Sequence, residues 1–463
     1  MNIMYVYWLL ILCLNKASSQ SIIRTLPGFD GDLPFKLETG YVGVGKKSDE
    51  VQLFYYFVES EREPEKDPLV LSLTGGPGCS AIYALTFEIG PITWDSSTFG
   101  SSLPSLFQHP YPWTKISNVI FLDQPVGAGF SYANSSEGYV SSDTDTTKHI
   151  YTFLVKWLET HPKFKNNSLY IQGESYAGKM VPLVAWEIVK ANEAGLQPQL
   201  SLQGYIAANP ATDQQCGNYR VPYAHKMALI SDEYMKLAEQ RCNGNYVNPD
   251  TDNVGCKKAL EPINECIDDI YMYHILEPDC PDKKYIPKPY DDQIRALDRS
   301  SHIVLPSQEL DIDCRTTFYT ISESWANNPR VREALRVREG SKGEWVRCNR
   351  SLTAYSNDVE SAVDLLRLLS KKGYKGLVYS GDHDMVVPYI HSLNWIQSLN
   401  LTLDDNWRPW KVNGQIAGYT MRYQENGSNL TFATLKGAGH TPPEYKPEEC
   451  FNMISRWLSD EPL

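Results

Sequence analysis

Residues 169–178 read LYIQGESYAG, and this stretch decides the expected fold. An apolar, β-rich run ends in Gly-Glu-Ser-Tyr, and a helical pattern follows from about Gly178. Gly173 and Ala177 stand two residues before and two residues after Ser175, so small side chains flank the serine on both sides. A serine exposed on a strained strand-to-helix turn requires such neighbours. The stretch therefore predicts a nucleophile elbow with Ser175 at its tip.

Short β-rich runs alternate with amphipathic helical patterns on both sides of this turn, which is typical of a layered α/β sheet. Helices are predicted at Thr144–Glu159 and Lys179–Glu193. Strands are predicted at Leu53–Val58, Leu69–Leu73, Val119–Leu122, Leu169–Gln172, Gly204–Ala208, Gly376–Tyr379 and Leu430–Leu435. Together with the elbow, this order predicts the α/β-hydrolase fold, with a mixed central sheet flanked by helices.

A serine hydroxyl is a poor nucleophile and needs a base that is itself oriented by a third group. In α/β-hydrolases the acid follows the serine in the chain and the histidine follows the acid, each in a loop after a strand. His440 lies in such a loop, Lys-Gly-Ala-Gly-His-Thr, and Asp382 and Asp384 follow the strand predicted at Gly376–Tyr379. We prefer Asp384, since Asp382 is better placed to brace the turn. The predicted triad is Ser175, Asp384 and His440.

A glycine-rich turn follows the strand predicted at Leu69–Leu73 and reads Thr-Gly-Gly-Pro-Gly-Cys, residues 74–79. α/β-hydrolases place one oxyanion donor in an early loop of this kind, and the other donor is the N–H after the nucleophile, here Tyr176. A phosphate-binding loop is the alternative, but no Gly-Lys-Ser/Thr follows. We therefore expect the turn to form part of an oxyanion hole.

The composition is that of an ordinary globular protein with a sizeable core, because 42% of the 463 residues are hydrophobic and 21% are charged. The formal net charge of −13 argues against nucleic acid or an anionic membrane surface as a partner. No cysteine pair has the spacing of a zinc site or a thioredoxin-type motif. We expect no metal and no cofactor.

The N-terminus resembles a secretory signal. An apolar run at residues 4–14 is followed by Ala17-Ser18-Ser19, the small residues that a signal peptidase accepts. The run is shorter than the roughly 20 apolar residues that span a bilayer. It lacks a preceding Lys or Arg, so an uncleaved signal anchor is the alternative. We predict a signal peptide at residues 1–19, no stable membrane anchor and a mature chain from Gln20.

Two further features favour export. Nine cysteines remain in the mature chain, and several cluster in a stretch poor in apolar runs, where disulfides would compensate for a thin core. Nine is odd, so at least one thiol should stay free. Six Asn-x-Ser/Thr sequons could accept glycans in the secretory lumen: Asn134, Asn166, Asn349, Asn400, Asn426 and Asn429.

The α/β pattern is interrupted between about residues 210 and 330. This stretch is rich in Cys, Pro and Asp and has few alternating strand patterns. The α/β pattern resumes after it and continues to Leu463. We predict one α/β-hydrolase domain over residues 20–463, with a cap insertion at about 210–330.

Five segments together resemble the serine carboxypeptidase family. They read TGGPGCS at 74–80, FLDQPVGAGFSY at 121–132, GESYAG at 173–178, GDHDMVVP at 381–388 and GAGHTPPEY at 437–445. The resemblance implies the same triad, Gly76 and Tyr176 as oxyanion donors, a disulfide-bearing insertion, glycosylation and a vacuolar or extracellular location. The disulfides it implies are Cys79–Cys348, Cys242–Cys256 and Cys280–Cys314.

The resemblance leaves peptidase and acyltransferase activity open. Carboxypeptidases of this family hold a peptide's terminal carboxylate with an Asn before the glycines and with acidic side chains nearby. Glu174 and Glu88 match the acidic positions, but Thr74 stands before Gly75 where the Asn is expected. A Thr hydroxyl offers one donor where an Asn amide offers two. Recognition of a peptide C-terminus should therefore be weakened.

In having Thr at this position, the chain resembles the plant serine carboxypeptidase-like acyltransferases, which use a 1-O-acyl glucose as donor. Residues 52–64, 407–418 and 443–450 also resemble that branch. Two residues depart from that branch. Glu174 before the nucleophile is typical of the peptidases, whereas several acyltransferases have Asp there, and Pro442 in the loop of His440 replaces an Ala that is frequent in the family. We favour an acyltransferase acting on an acyl glucose and an alcohol acceptor, with a carboxypeptidase as the alternative. A catalytically silent glycoprotein is disfavoured because the triad and the glycine-rich turn are intact.

Overall fold

The structure is a computed structural model that describes residues 20–45, 50–280, 314–352 and 354–463. The predicted signal peptide at residues 1–19 lies outside these ranges. Residues 281–313 of the predicted insertion also lie outside them.

A twelve-stranded mixed sheet forms the centre of the fold. The described strands are β1 (Gln20–Ile23), β2 (Leu37–Val44), β3 (Val51–Val58), β4 (Leu69–Leu73), β5 (Ile92–Trp94), β6 (Leu106–Gln108), β7 (Asn118–Leu122), β8 (Tyr132–Ala133), β9 (Ser141–Ser142), β10 (Leu169–Glu174), β11 (Leu202–Ala208), β12 (Tyr355–Ser356), β13 (Lys375–Gly381), β14 (Thr402–Val412), β15 (Gln415–Glu425) and β16 (Ser428–Leu435). The central sheet has the order β1-β2-β3-β7-β4-β10-β11-β13-β16-β15-β14, and β8 pairs with β3.

The middle of the sheet is parallel and both of its flanks are antiparallel. From β7 to β16 each neighbouring pair is parallel, with Glu174 opposite Ala208, Ala208 opposite Tyr379 and Gly381 opposite Leu435. The carboxyl ends of β10, β11, β13 and β16 therefore meet at one edge. This is the edge at which open α/β sheets bind ligands.

Helices cover both faces of the sheet. The described α-helices are α1 (Asp143–Thr160), α2 (Ala177–Glu193), α3 (Arg220–Lys226), α4 (Asp232–Cys242), α5 (Val254–Ile267), α6 (Arg315–Phe318), α7 (Thr320–Ala326), α8 (Pro329–Ala334), α9 (Val363–Lys371), α10 (Tyr389–Ser398), α11 (Pro442–Tyr445) and α12 (Pro447–Leu458). One core contains Trp157 of α1 and Val184 of α2, and the other contains Trp325 of α7 and Trp457 of α12. Because both faces are covered, β4 and β7 are buried throughout, and their sequences are apolar except for Ser72 and Asn118.

The predicted α/β-hydrolase fold is confirmed. Each predicted strand is present, with bounds extended by up to two residues at either end. The long hairpin of β14 and β15 was not predicted. Its exposed strand β14 carries Asp404, Asp405, Arg408 and Lys411, so the sequence there lacks the apolar run on which strand prediction depends.

The predicted insertion begins with a small helical unit. Helices α3, α4 and α5 share their own core, which includes Tyr223 and Ile263 and also takes in Met385 from the loop after β13. The Cys242–Cys256 disulfide joins the end of α4 to the first turn of α5. Helices α6 to α8 instead contribute to the core on the α12 face of the sheet.

The structure contains the three disulfides that the family resemblance implies. They are Cys79–Cys348, Cys242–Cys256 and Cys280–Cys314. Of the cysteines that the structure describes, Cys216 and Cys450 are buried thiols and Cys266 is an exposed thiol. Three disulfides are typical of an oxidising compartment. Within the described ranges, no helix combines the length and apolar character needed to span a bilayer.

Candidate active site

Ser175 occupies the turn between β10 and α2 with a φ of +54°, a left-handed conformation that is rare for a residue other than glycine. Its N–H donates to Ala208 O at 3.0 Å, and its carbonyl accepts from Ala211 N–H at 3.0 Å. A Cβ on Gly173 would lie 2.8 Å from the Val181 side chain, so the turn leaves no room for a larger residue there. The end of β11 and the residues that follow it therefore hold the half-buried serine in a strained turn, as an elbow requires.

Asp384 lies in the loop after β13 and is completely buried. Its Oδ1 accepts from the N–H groups of Val386 (2.7 Å) and Val387 (3.2 Å). Its Oδ2 accepts from Asn209 Nδ2 at 2.6 Å and faces His440 Nδ1 at 2.8 Å. An ionised carboxylate accepts hydrogen bonds and donates none, so these donors match its anionic form. The acid is fixed in place by groups from three loops.

His440 is buried, with 5% of its surface exposed. Its Nδ1 is paired with Asp384, so Nε2 is the nitrogen that can serve Ser175. Burial lowers the pKa of His440, but the Asp384 carboxylate more than offsets this, so the pKa lies above its ordinary value. Among the described residues no hydrogen bond joins the Ser175 hydroxyl to the imidazole, a contact that commonly tightens only when substrate binds.

The loops that carry the acid and the base pack backbone to backbone. A Cβ on Gly381 would lie 2.1 Å from the carbonyl oxygen of Gly439, so glycine is required at this contact. Asp382 accepts from the Gly437 N–H at 2.7 Å, and the His383 N–H donates to the Ala438 carbonyl at 2.9 Å. Asp384 therefore contacts the imidazole, whereas Asp382 supports the loop that carries His440.

The glycine-rich turn at residues 74–79 lies directly on the elbow. A Cβ on Gly75 would be 2.8 Å from Ser175 Cβ and 2.9 Å from Tyr176 N. Gly76 has a φ of +117°, a conformation that L side chains rarely adopt. Among the hydrogen bonds of the described chain, neither the Gly76 N–H nor the Tyr176 N–H has a protein acceptor. Both are therefore available to an oxyanion.

The Tyr176 side chain is tied to a buried ion pair that sequence analysis missed. Asp143, at the start of α1, is fully buried and accepts from Tyr176 OH (2.5 Å), Lys179 Nζ (2.8 Å) and Tyr355 OH (2.8 Å). Lys179 also donates to the carbonyl of Val359 at 3.0 Å. These contacts join α1, α2 and the segment after β12. They hold the residue that follows the nucleophile.

Asn209 is a second residue that sequence analysis missed. It follows β11 directly, donates from Nδ2 to Asp384, and accepts from the Gly381 N–H at 3.1 Å through Oδ1. Its own N–H donates to the Tyr379 carbonyl at 2.8 Å. Only its position at the end of a predicted strand could have indicated a role, because its partners are far away in the sequence.

Two buried carboxyl groups, Glu174 and Glu88, lie side by side next to the elbow. Burial raises the pKa of Glu174 to about 7, although the hydrogen bond from Glu88 and the charge of His440 lower it. Burial, reinforced by the neighbouring Glu174, raises the pKa of Glu88 well above its ordinary value. Burial thus favours the protonated, neutral form of both carboxyl groups.

Arg347 brings a positive charge to this carboxyl pair and was not anticipated. Its guanidinium lies over the rings of Tyr319 and Tyr83, at 4.2 and 5.1 Å from their centroids. Its charge lowers the pKa of both Glu88 and Glu174 without reversing the effect of burial. The Cys79–Cys348 disulfide fixes the neighbouring residue to the glycine-rich turn.

Thr74, at the position discussed for peptide recognition, is 2% exposed. Its carbonyl accepts from Gln124 Nε2 at 2.9 Å. Its hydroxyl has no hydrogen-bond partner within the described part of the chain. A buried hydroxyl without a partner costs free energy, so its presence here calls for a role beyond packing.

Comparison with known proteins gives one consistent result. A family model described as serine carboxypeptidase matches residues 27–460. Serine carboxypeptidase-like 13 from Arabidopsis thaliana is 47% identical over 457 residues, and serine carboxypeptidase-like 10 from the same plant is 45% identical over 456, each covering 98% of both chains. Among solved structures, Kex1Δp, a prohormone-processing carboxypeptidase from Saccharomyces cerevisiae, matches with a TM-score of 0.74 at 20% identity, covering 95% of each chain. At that identity the structural match supports the fold alone.

Proposed function

Because the chain belongs to the serine carboxypeptidase family, we propose that it is an acyltransferase that moves an acyl group from a 1-O-acyl glucose to an acceptor hydroxyl through an acyl-Ser175 ester. The observation that carries this proposal is Thr74, which stands where a carboxypeptidase needs an Asn amide. It is buried beside the elbow, and its hydroxyl has no hydrogen-bond partner among the described residues. The serine carboxypeptidase-like relatives, which match 98% of both chains, support the enzyme family to which this reaction belongs.

The proposed reaction uses the elbow, the acid–base pair and the glycine-rich turn in two half-reactions. His440 Nε2 removes the Ser175 proton as Oγ attacks the acyl carbonyl, and Asp384 stabilises the imidazolium that forms. The N–H groups of Gly76 and Tyr176 receive the oxyanion. The imidazolium then protonates the departing glucose oxygen, leaving the acyl-Ser175 ester.

The second half-reaction is the reverse of the first with a different alcohol. His440 takes the proton of the acceptor hydroxyl as its oxygen attacks the ester carbonyl, and then returns that proton to Ser175 Oγ. Water can attack in the same way, and the result is hydrolysis. An alcohol held in position prevails over water because orientation gives it a high effective molarity. Transfer therefore depends on how well the acceptor is bound.

The alternative function is a carboxypeptidase, and the Glu88–Glu174 pair favours it. A protonated carboxyl in this pair can donate a hydrogen bond to a peptide's terminal carboxylate. Arg347 adds a positive charge nearby. Thr74 removes one of the donors that such a substrate needs, so we place this function second.

The experiment that tests the proposal compares the two activities in one preparation. Purified protein is supplied with mixed acyl glucoses plus alcohols, and separately with blocked dipeptides. We expect transfer to be faster than dipeptide cleavage, and Thr74→Asn to gain dipeptide cleavage because its amide supplies the missing donor. Thr74→Ser, which keeps a hydroxyl, is the matched control. Faster cleavage of dipeptides by the unmodified protein would favour the peptidase, and no gain in Thr74→Asn would remove the role assigned to this position.

The pH dependence of the two activities should differ. Glu174, with a pKa of about 7, donates to a carboxylate only while it is protonated, and its anion repels one. We therefore expect the ratio of dipeptide cleavage to acyl transfer to fall about tenfold from pH 6 to pH 8, since the acyl glucose carries no terminal carboxylate. Glu174→Gln, which stays neutral, should remove this change. A ratio independent of pH in the unmodified protein would show that Glu174 does not contact the carboxylate.

We further propose that the protein enters the secretory pathway, for the vacuole or the cell exterior, and is glycosylated. The three disulfides support this location. The half-buried Asn349 donates from Nδ2 to the Gly127 carbonyl at 3.0 Å, so it is the least accessible of the sequons. The five exposed sequons are Asn134, Asn166, Asn400, Asn426 and Asn429.

A further inference from the structure

A cleft of about 510 Å³ lies beside the catalytic histidine, between the helices of the insertion and the loop that follows α5. Arg220, Tyr246, Asp268, Tyr271 and Tyr273 are among its lining residues. Its volume lies within the range of small-molecule sites. None of the triad, the oxyanion donors or the carboxyl pair lines it, so the chemistry described above leaves the cleft without a role.

One wall of the cleft is hydrogen-bonded to the loops that carry Asp384 and His440. The Tyr273 carbonyl accepts the His440 N–H at 2.8 Å, and the Met272 carbonyl accepts the Met385 N–H at 2.9 Å. The Tyr273 ring packs edge-on against the imidazole with their centroids 5.2 Å apart. This ring is also 41% exposed, so it presents an aromatic surface next to the base.

The cleft is lined by charged groups of both signs. Arg220 Nε is buried and has no hydrogen-bond partner among the residues that the structure describes. Asp268 carries the opposite charge and supplies acceptor oxygens. Val247 and Ile267 supply apolar surface. The cleft thus offers one cation, carboxylates and aromatic rings. A ligand that matches these groups is neutral, carries several hydroxyl groups and has an apolar face.

The chemistry of acyl transfer requires the acceptor to lie next to His440. His440 Nε2 gives a proton to the departing alcohol and takes one from the incoming alcohol, so both alcohols must lie beside the imidazole. The cleft begins at Tyr273, whose ring packs against that imidazole and whose carbonyl accepts the backbone N–H of His440. From this geometry we infer that the cleft binds the acyl acceptor, a neutral polyhydroxylated ring compound, and that Arg220 is the residue that selects it. The inference rests on the proposed function for its role, but the binding site itself is testable without it.

The test measures binding directly, so that it does not depend on transfer. Ser175→Ala protein is titrated with methyl glucoside and, separately, with catechol by ligand-observed NMR, which distinguishes a sugar from a hydroxylated aromatic as the preferred source of hydroxyls. We expect one of the two probes to bind, and Arg220→Met in the same background to weaken its binding at least tenfold. Val247→Trp, which fills the cleft from a 48% exposed position, should weaken binding as well.

Arg241→Met is the matched control, because Arg241 is exposed on α4 and does not line the cleft. Equal binding by the Arg220→Met and Arg241→Met proteins, or no binding of either probe to the parent protein, would overturn the inference. Thermal unfolding of each variant shows whether a loss of probe binding is due to misfolding. If the Arg220→Met protein is misfolded, binding to the Val247→Trp protein decides the outcome. In the active protein, Arg220→Met should lower the ratio of transfer to hydrolysis at least tenfold. If the unmodified protein transferred to no alcohol while binding stayed dependent on Arg220, only the proposed function would fail.

Discussion

Replacing Ser175 by alanine is expected to lower kcat by about 10⁶-fold and to abolish labelling by a fluorophosphonate, whichever acyl substrate is supplied. The Ser175 hydroxyl lies at the tip of the elbow, where the strained φ of +54° places it beside the glycine-rich turn, whereas the Tyr176 hydroxyl donates to Asp143. Turnover of an acyl glucose and labelling of the purified protein measure the two effects.

Ser201→Ala is the matched control for this experiment. Ser201 lies in the loop before β11, and its hydroxyl donates to the Lys165 carbonyl at 3.4 Å. We expect that variant to label and turn over like the unmodified protein. Persistent labelling of the Ser175→Ala protein would place the nucleophile elsewhere.

Asp384→Asn is expected to lower kcat by about 10⁴-fold while the fold is retained. In the described structure the carboxylate faces four donors: the N–H groups of Val386 and Val387, the Asn209 amide and His440 Nδ1. An asparagine at this position brings its own N–H₂ group against one of them, which favours the wrong tautomer of the imidazole. The carboxylate also raises the pKa of His440 against the effect of burial, so its loss should lower that pKa.

Asp382→Asn provides a control with the same chemical change two residues away. Asp382 accepts a backbone N–H from Gly437, and an asparagine oxygen can accept it equally well. We expect a loss of less than about tenfold in this variant, because one neutral acceptor replaces another. Steady-state kinetics and an NMR titration of the imidazole distinguish the two variants. A larger loss in Asp382→Asn than in Asp384→Asn would reverse the assignment of the acid.

The features that sequence analysis predicted are those that local patterns encode. The elbow is a strand, a serine between small residues and a helix, all within ten residues, and the acid and base loops each follow an apolar strand. Asn209 and the Asp143–Lys179 pair lack such a signal, because their roles arise from contacts with residues more than 30 positions away. The partners of Asn209 follow from the order of strands in the sheet, and the Asp143–Lys179 pair follows from the packing of α1 beside α2.

The same limit applies to the disulfides and to the cleft. Cys79 and Cys348 are 269 residues apart, so only the family resemblance could pair them. The contact of Tyr273 with His440 depends on a segment of the insertion folding back onto two catalytic loops. Composition identified the insertion as different from the rest of the chain, but it could not indicate that this insertion reaches the base.

Identification of the acylated residue tests the catalytic assignment most directly. The protein is mixed with a 1-O-acyl glucose, quenched in acid during turnover, freed of glycans and digested with trypsin, which releases the peptide Asn166–Lys179. Mass spectrometry should find the acyl group on Ser175 in this peptide, and the adduct should disappear when an acceptor alcohol is added. An acyl group on another residue, or continued turnover with no acylated peptide, would contradict the assignment.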